Sequence, residues 1–407
     1  MRKPWLILVT IYLASISITI NQFKIPPVMK LILQDLDLTI TQGGWLMSVF
    51  SVASILLAIP TVLIIGRYGP KITGLIALSC VTIGSLAGGF AQSAELFLST
   101  RILEGVGLGL MAIIAPSVIA AWFPIEKRAL PMGIWASWVP VGFFISYNAA
   151  IPISSEYGWQ GLWWLGACVT FVALLLYVIV VDNPKSVTNS EHEHTSIMVF
   201  SFKEGIKTPE PWLLGIGFAG LGFANSGFLT FAPQYYSEFY GIEASLSNFY
   251  VSIPFMISIF SNPFSGWVIS KYRKSKLIHI LSICLIVIMF SQVYFLPSAK
   301  WIVPWAVILG LLLGFFATGN FTLASSSIHS TAPSPLLISL GVGINNLVYN
   351  TGFLLGPPVL ASFISGGKWT LGVWPAVTST LISVLACVLF FNKRSQGDKK
   401  RNLAVLR

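Results

Sequence analysis

Long apolar runs, separated by short polar connections, dominate the hydrophobic pattern of this chain. A membrane-spanning helix needs about 20 apolar residues in succession, and the sequence contains about twelve runs of that length. The pattern therefore predicts an all-α membrane protein with about twelve transmembrane helices. We place these spans at residues 5–27, 42–65, 71–92, 96–122, 130–152, 160–181, 212–236, 245–270, 276–297, 302–327, 336–364 and 370–391.

One connection, between the sixth and seventh spans, is much longer and more polar than the others. The linker contains His192 and His194, each next to a glutamate, in a pattern that suggests a metal-binding tract. Two histidines one residue apart on a polar linker are more typical of solvated side chains, so we predict no metal site and no cofactor. The connection divides the chain into an N-terminal six-helix bundle (residues 1–181), a cytoplasmic linker (182–211), a C-terminal six-helix bundle (212–391) and a basic cytoplasmic tail (392–407).

The composition indicates a lipid environment and an orientation within it. Hydrophobic residues make up 55% of the chain and charged residues 9%, whereas soluble domains average about 25% charged. Most of the 24 basic residues fall in alternate connections and in the tail, so the positive-inside rule predicts that both termini are cytoplasmic. The net charge of +10 is therefore a topology signal. It does not indicate nucleic-acid binding, because the bases form no stripe on one element.

The sequence shows no constellation of catalytic residues. His279 and His329 are isolated near span ends, with no carboxylate pair or spaced histidine motif beside them. The four cysteines lie far apart within spans, which is typical of small apolar packing residues. We therefore expect neither an enzyme nor a disulfide-stabilised protein.

The two halves share local features that are typical of an internal repeat. Arg67 and Lys71 follow the second span, and Lys271 follows the eighth span in a similar context of a small residue, a base and a tyrosine. The fourth and tenth spans both carry closely spaced glycines, which let helix backbones approach in lipid. Two similar six-helix halves favour a transporter that rocks one half against the other around a midplane site. Arg67, Lys71 and Lys271 are then candidate gating residues.

Several motifs, in chain order, resemble those of the major facilitator superfamily. The turn after the second span matches the family pattern at Arg67, Gly69 and Lys71, but Gly66 replaces its usual aspartate and so removes one expected charge pair of the cytoplasmic gate. The resemblance implies the major facilitator fold, in which the first and fourth helices line a central cavity, and a protein that functions as a monomer. Further matches are the arginine and spaced glycines of the fourth span (101–109), the link into the fifth span (122–133) and the lead into the sixth (158–160).

A finer resemblance concerns the segment at residues 115–137, which is similar to the bacterial cyanate permease group, including nitroimidazole transporters. This resemblance implies a small, often anionic solute and a location in the bacterial cytoplasmic (inner) membrane. Nitrate transporters of the superfamily carry substrate-binding arginines on the second and eighth helices. The present chain has no base at residues 42–65 or 251–268, so nitrate is not expected.

Three charged residues, Lys24, Arg101 and Glu104, lie well inside the predicted spans. A charge in hydrocarbon costs at least about 2.5 kcal/mol, so such residues are functional candidates. All three fall in the outer half of the membrane, and Arg101 and Glu104 share a helical face. One interpretation is a buried salt bridge, with Lys24 reaching to the surface. The other is that Lys24 and Arg101 bind an anion, and that binding releases Glu104 to take up a proton.

We therefore expect a secondary active transporter that moves a small anionic solute by alternating access, through proton-coupled symport or anion exchange. The alternative is a transporter or efflux protein for neutral or lipophilic compounds, which aromatic cavities suit. Polar and aromatic side chains in several spans are candidates to complete the substrate site, although helix packing explains each amide equally well. These candidates are Asn21, Gln22, Trp138, Tyr147, Asn148, Asn225, Asn346 and Asn350.

Overall fold

The structure, a computed structural model, describes residues 2–57, 60–124, 129–182, 207–272, 296, 298–325 and 335–405. Over these residues the regular structure is entirely helical, with short 3₁₀ helices at Pro26–Val28, Ala299–Trp301, Ser365–Gly367 and Trp369–Gly372. The α-helices are α1 (Arg2–Gln22), α2 (Met29–Asp35), α3 (Ile40–Ser48), α4 (Phe50–Leu57), α5 (Pro60–Gly88), α6 (Ala94–Trp122), α7 (Ala129–Ala136), α8 (Trp138–Tyr157), α9 (Gln160–Val180), α10 (Pro209–Tyr240), α11 (Ala244–Tyr272), α12 (Ile302–Ser325), α13 (Pro335–Ile364) and α14 (Val373–Val405).

Within the described ranges, 10 helical stretches are long and apolar enough to cross a membrane. A shorter apolar stretch, Ala299–Phe315, covers the start of the predicted tenth span. Almost all of the predicted ninth span lies outside the described residues, as do His192 and His194 of the linker. The prediction of an all-α membrane fold is confirmed, and α14 continues past the twelfth span into the predicted tail.

Several predicted spans are built from more than one helix. The second span is interrupted at Val49, between α3 and α4, and the fifth at Ser137, between α7 and α8. Gly69 interrupts α5 with a φ of 73°, a backbone conformation that glycine adopts without steric cost. This interruption falls at the predicted turn between the second and third spans.

Within each bundle, glycines allow helices of neighbouring spans to pack backbone against backbone. In the first bundle, Gly105 of α6 lies so close to the Phe50 carbonyl oxygen that a Cβ would overlap it. In the second bundle, a Cβ on Gly310 of α12 would lie 2.7 Å from the Pro254 carbonyl oxygen. The glycine spacing in the fourth and tenth spans therefore has the packing role expected in lipid.

The two bundles meet through α3 against α13 and through α8 against α11. Gly44 of α3 packs against the Pro357 backbone, where a Cβ would be 2.9 Å from its carbonyl oxygen. Asn148 of α8 donates a hydrogen bond to Ser252 Oγ of α11, at 3.1 Å. The Phe143 and Phe255 rings stack across the same boundary, with centroids 4.1 Å apart.

Charged groups mark one end of the first bundle. The Asp182 carboxylate accepts hydrogen bonds from Lys3 Nζ at 2.8 Å and from Lys71 Nζ at 3.4 Å. At the opposite end, the Asp35 carboxylate accepts from Trp159 Nε1 at 2.9 Å. We call these ends the Asp182 face and the Asp35 face.

Candidate functional site

A cavity of about 310 Å³ lies between the two bundles, roughly halfway along α6, α10 and α13. Its volume is at the small end of the range for ligand pockets, about 300–1,000 Å³. The first bundle contributes the polar side chains of Gln22 and Ser54 and the aromatic side chains of Phe23 and Trp138. A central cavity with a few polar groups among aromatic rings suits a small solute.

The wall formed by the second bundle is richer in amides. Asn346, Tyr349, Asn350 and Phe353 line the cavity at spacings of three and four residues, so they form a single face of α13. Asn225 of α10 lies on the same wall. This wall presents side chains that both donate and accept hydrogen bonds, next to aromatic surface.

The three intramembrane charges form one buried cluster in the first bundle. Lys24 Nζ lies 2.6 Å from Glu104 Oε1, and Arg101 Nη1 bonds the other carboxylate oxygen, Glu104 Oε2. Lys24 is 1% exposed, and Arg101 and Glu104 are 0% exposed. Two bases therefore share one acid in a site that is sealed from solvent, which leaves a formal surplus of one positive charge.

The broken end of α1 balances this surplus. The helix α1 ends at Gln22 and is followed by Pro26 and Pro27, which have no N–H to donate, so its last carbonyl groups need partners from outside the helix. Arg101 donates from Nη1 to the Asn21 carbonyl oxygen at 2.8 Å and from Nη2 to the Gln22 carbonyl oxygen at 3.1 Å. The C-terminal end of a helix carries partial negative charge, so it stabilises the cationic cluster.

Neighbouring polar groups complete the shell around Lys24. Its ammonium donates to Asn21 Oδ1 and to Ser85 Oγ, both at 2.8 Å. It also lies over the Trp163 ring, 4.3 Å from the centroid. The Arg101 guanidinium lies over the Phe50 ring in the same way, at 4.6 Å. Hydrogen bonds and ring faces thus replace the water that these charges lose.

This geometry corrects the expected placement of the charges. Lys24 does not reach the surface, and the described lining of the cavity does not include Lys24, Arg101 or Glu104. Gln22 connects the two regions, because its side chain lines the cavity and its carbonyl oxygen accepts from Arg101. A role for Lys24 and Arg101 in substrate binding, and for Glu104 in proton coupling, stays a prediction.

The other candidate residues separate into three groups. Tyr147 donates to the Leu229 carbonyl oxygen and Asn148 to Ser252, so both connect the two bundles instead of lining the cavity. Asn21 belongs to the shell of Lys24. The structure brings the remaining candidates together on the cavity wall: Gln22, Trp138, Asn225, Asn346 and Asn350.

Two of the candidate gating residues, Arg67 and Lys71, lie away from the cavity. Arg67 is exposed, and the Lys271 side chain is outside the described residues. Lys71 pairs with Asp182, an acid at the end of the sixth span. Asp182 therefore supplies a carboxylate partner for Lys71, although the aspartate that is usual in the family is replaced by Gly66.

Phe23, Tyr349 and Phe353 are cavity residues that the sequence analysis missed. For two of them, the helical period of the sequence could have indicated a position on the cavity wall. Tyr349 and Phe353 lie three and seven residues after Asn346, so they share its face of α13.

The chain has a two-bundle helical membrane fold with a central cavity, and it belongs to the Major Facilitator Superfamily. The model of that family matches residues 11–336. The predicted superfamily is thereby confirmed, and the protein is a multi-pass membrane transporter, not an enzyme.

Three relatives show how far the similarity extends. The "Uncharacterized MFS-type transporter YcnB" of Bacillus subtilis is 27% identical over 56% of this chain, and the match covers 46% of that protein. The "D-galactonate transporter" of Escherichia coli O6:H1 is 22% identical over 98% of this chain and 97% of its own length. "Niacin transporter NiaP" of Acinetobacter baylyi is 21% identical, with 93% and 91% covered. None of these three supports the finer resemblance to cyanate and nitroimidazole transporters.

Solved structures show the same fold. A bacterial homolog of the human lysosomal transporter Spinster, in an inward-facing and unoccupied conformation, has a TM-score of 0.76 at 16% identity, with 96% of both chains covered. A D-xylose-proton symporter has a TM-score of 0.75 at 14% identity, with 95% of this chain and 97% of that chain covered.

Proposed function

We propose that this transporter moves a small organic anion together with a proton, by alternating access of the central cavity. The observation that carries the proposal is the buried cluster in which Glu104 is held between Lys24 and Arg101. A carboxylate inside a membrane protein is costly unless paired, and such groups mark ion and proton pathways. Glu104 is also the one acid inside any predicted span, so it is the carboxylate positioned to carry a proton.

The names of the relatives support an anionic substrate. Galactonate and niacin, the solutes named for two of them, are both carboxylates at neutral pH. A cavity of about 310 Å³ is of a size for solutes of this kind.

In this proposal, the cluster acts from behind the cavity wall. An anion bound beside Gln22 attracts the surplus positive charge of Lys24 and Arg101. Their displacement towards the anion weakens their hold on Glu104, and the carboxylate then takes up a proton. Binding of the anion and binding of the proton favour each other, as coupled transport requires.

Transport in proteoliposomes with an imposed pH gradient tests the coupling. We expect wild-type protein to concentrate D-galactonate or nicotinate when the gradient is present. Glu104→Gln should lose accumulation and keep downhill exchange, because its amide cannot release a proton. Glu95→Gln, on the exposed first turn of the same helix, is the matched control and should transport normally. Uphill, proton-driven uptake by Glu104→Gln would exclude the proposed coupling role.

A second candidate function is transport or efflux of neutral or lipophilic compounds. The observation that favours it is the cavity wall itself, which among the described residues carries aromatic and amide side chains and no charged ones. A thermal-shift panel of purified protein separates the two candidates. Stabilisation by uncharged ligands, with no response to carboxylates, would support this alternative.

We further propose that the protein works as a monomer in the bacterial cytoplasmic (inner) membrane, with the Asp182 face towards the cytoplasm. The distribution of lysine and arginine supports this orientation. Labelling of single cysteines in intact cells tests it. A cysteine near Lys3 should be protected from an impermeant reagent, and one near Asp35 should react.

A further inference from the structure

Asn225 and Tyr349 form a polar pair on the second-bundle wall of the cavity. Both side chains line the cavity, and they hydrogen-bond each other between α10 and α13. Asn225 Oδ1 is buried and has no hydrogen-bond partner. The Asn225 amide nitrogen is therefore the group that donates to the Tyr349 hydroxyl oxygen.

Among the described residues, this pair in the cavity wall leaves hydrogen-bonding capacity unused. With the amide nitrogen donating to Tyr349, Asn225 Oδ1 is left as an acceptor and the Tyr349 O–H as a donor. If the amide is rotated by half a turn, Tyr349 donates to Oδ1, and an amide N–H and a hydroxyl lone pair are left instead. In both orientations the pair offers one donor and one acceptor. Buried polar groups usually have partners, so an incoming ligand is the natural partner here.

A substrate hydroxyl matches this requirement, because one oxygen atom both donates and accepts. An ionised carboxylate accepts without donating, and an alkyl chain does neither. Asn346 and Asn350 extend the amide wall along the same face of α13. Asn350 Nδ2 donates to the Asn346 carbonyl oxygen at 2.8 Å, which directs the amide of Asn350. A row of amides is complementary to a row of hydroxyls, and Trp138 and Phe353 offer apolar surface to the carbon chain.

We propose that Asn225 and Tyr349 form a hydroxyl-recognition subsite, and that the substrate is a polyhydroxylated organic acid, not a plain carboxylate. The acid part of this statement rests on the proposed function. The hydroxyl part rests on the unused donor and acceptor of the pair.

Three six-carbon probes separate the two parts. Gluconate carries hydroxyls and a carboxylate, hexanoate carries a carboxylate without hydroxyls, and sorbitol carries hydroxyls without a carboxylate. The measurement is the melting temperature of the purified full-length protein, titrated with each probe at millimolar concentrations. We expect gluconate to stabilise the protein most, and hexanoate to bind at least tenfold more weakly, because it leaves the pair unsatisfied.

Two variants connect the preference to the pair. Tyr349→Phe removes a single oxygen atom, and Asn225→Leu removes the amide at similar volume. We expect each to weaken gluconate binding roughly tenfold and to leave hexanoate binding unchanged, because each removes one hydrogen bond to a hydroxyl. Tyr157→Phe, at an exposed position on α8, is the control and should bind gluconate as wild type does. Tyr349→Phe keeps the test decisive even where Asn225→Leu folds poorly.

The outcomes are distinct. Equal stabilisation by sorbitol and gluconate would uphold the hydroxyl subsite and remove the anion from the proposed function. Equal stabilisation by hexanoate and gluconate, unchanged gluconate affinity in Tyr349→Phe, or no stabilisation by any of the three probes would each overturn the subsite.

Discussion

The two bundles use the same packing but different chemistry. In the first bundle, Ser54 Oγ donates to the Gly105 carbonyl oxygen at 3.4 Å. In the second bundle, Ser261 Oγ donates to the Gly310 carbonyl oxygen at 2.8 Å, and Ser265 repeats the contact with Gly314. The pairing of second with fourth spans thus recurs between the eighth and tenth. The fourth span also carries Arg101 and Glu104, whereas residues 302–325 of the tenth carry no charge.

A repeated scaffold can therefore keep its helix contacts while its two halves take different polar roles. A buried charge needs hydrogen-bonding partners, and in the first bundle the broken end of α1 supplies two carbonyl groups to Arg101. The cavity wall of the second bundle has amides instead, which are easier to bury when they are hydrogen-bonded. In our proposal, the first bundle couples the proton and the second recognises the substrate.

Arg101→Met tests whether the first bundle depends on its buried charges. It removes the donor to the Asn21 and Gln22 carbonyl oxygens and one partner of Glu104. We expect a loss of about 3–5 kcal/mol in unfolding free energy, the usual cost of breaking a buried ion pair. Denaturant-induced unfolding in detergent measures it.

A control separates charge balance from packing. The triple variant Lys24→Met, Arg101→Met, Glu104→Leu leaves no unpaired charge, and replacing whole buried ion clusters by apolar residues is often neutral. We expect it to be more stable than Arg101→Met and inactive in proton-driven uptake. If Arg101→Met unfolds like wild type, the described shell contributes little to stability.

A smaller effect tests whether the helix packing is equivalent in the two bundles. A Cβ at position 105 would overlap the Phe50 carbonyl oxygen, and one at position 310 would meet Pro254 O and Ile257 Cβ, both at 2.7 Å. We expect Gly105→Ala and Gly310→Ala each to cost about 1–3 kcal/mol, with Gly105→Ala the more costly. Thermal unfolding of the purified variants measures this. Gly133→Ala, where a Cβ meets nothing within 4 Å, should be neutral or slightly stabilising. Equal melting of all three variants would contradict the close approach.

The smallest expected effect concerns the charges at the end of the first bundle. The hydrogen bond from Lys3, with help from Lys71, lowers the pKa of Asp182 below its ordinary value of 3.8. A lowered pKa means that this contribution to stability is present above the ordinary value and is lost as the pH falls through the lowered one. Asp182→Asn should therefore melt slightly below wild type at neutral pH, with a difference that shrinks in acid and in high salt. A constant difference at every pH would contradict this.

Much of the fold could be predicted because lipid allows few solutions for the backbone. The predicted sixth span, 160–181, and α9, Gln160–Val180, agree almost to the residue. The helix breaks at Val49 and Ser137 were not predicted, because neither position carries a proline or glycine. The span that corresponds to α10 was predicted too short. The apolar run extends from Trp212 to Tyr236, whereas the helix continues into polar residues on both sides.

The candidate site could be predicted in part. Lys24, Arg101 and Glu104 stand out in an apolar chain, and their shared depth was compatible with direct contact between them. Their position behind the wall did not, because it depends on how α1 ends and on which neighbouring helices supply Ser85 and Trp163. Hydropathy carries no information about which side of a buried helix faces a cavity and which faces another helix.

Three consecutive residues at the end of α1 serve three different contacts. Gln22 and Phe23 line the cavity, Phe23 also packs edge-on against Phe143 with ring centroids 4.9 Å apart, and Lys24 joins the ion cluster. A substitution here alters the solute pocket, the contact between helices and the charge balance together. The α13 face is less closely linked: Phe353 meets the Phe23 ring, but the described ion pairs and hydrogen bonds of the three charges involve no residue of α13. Substitutions on α13 can therefore change the substrate with the least effect on the buried charges. An attempt to engineer a new substrate specificity should begin on this helix.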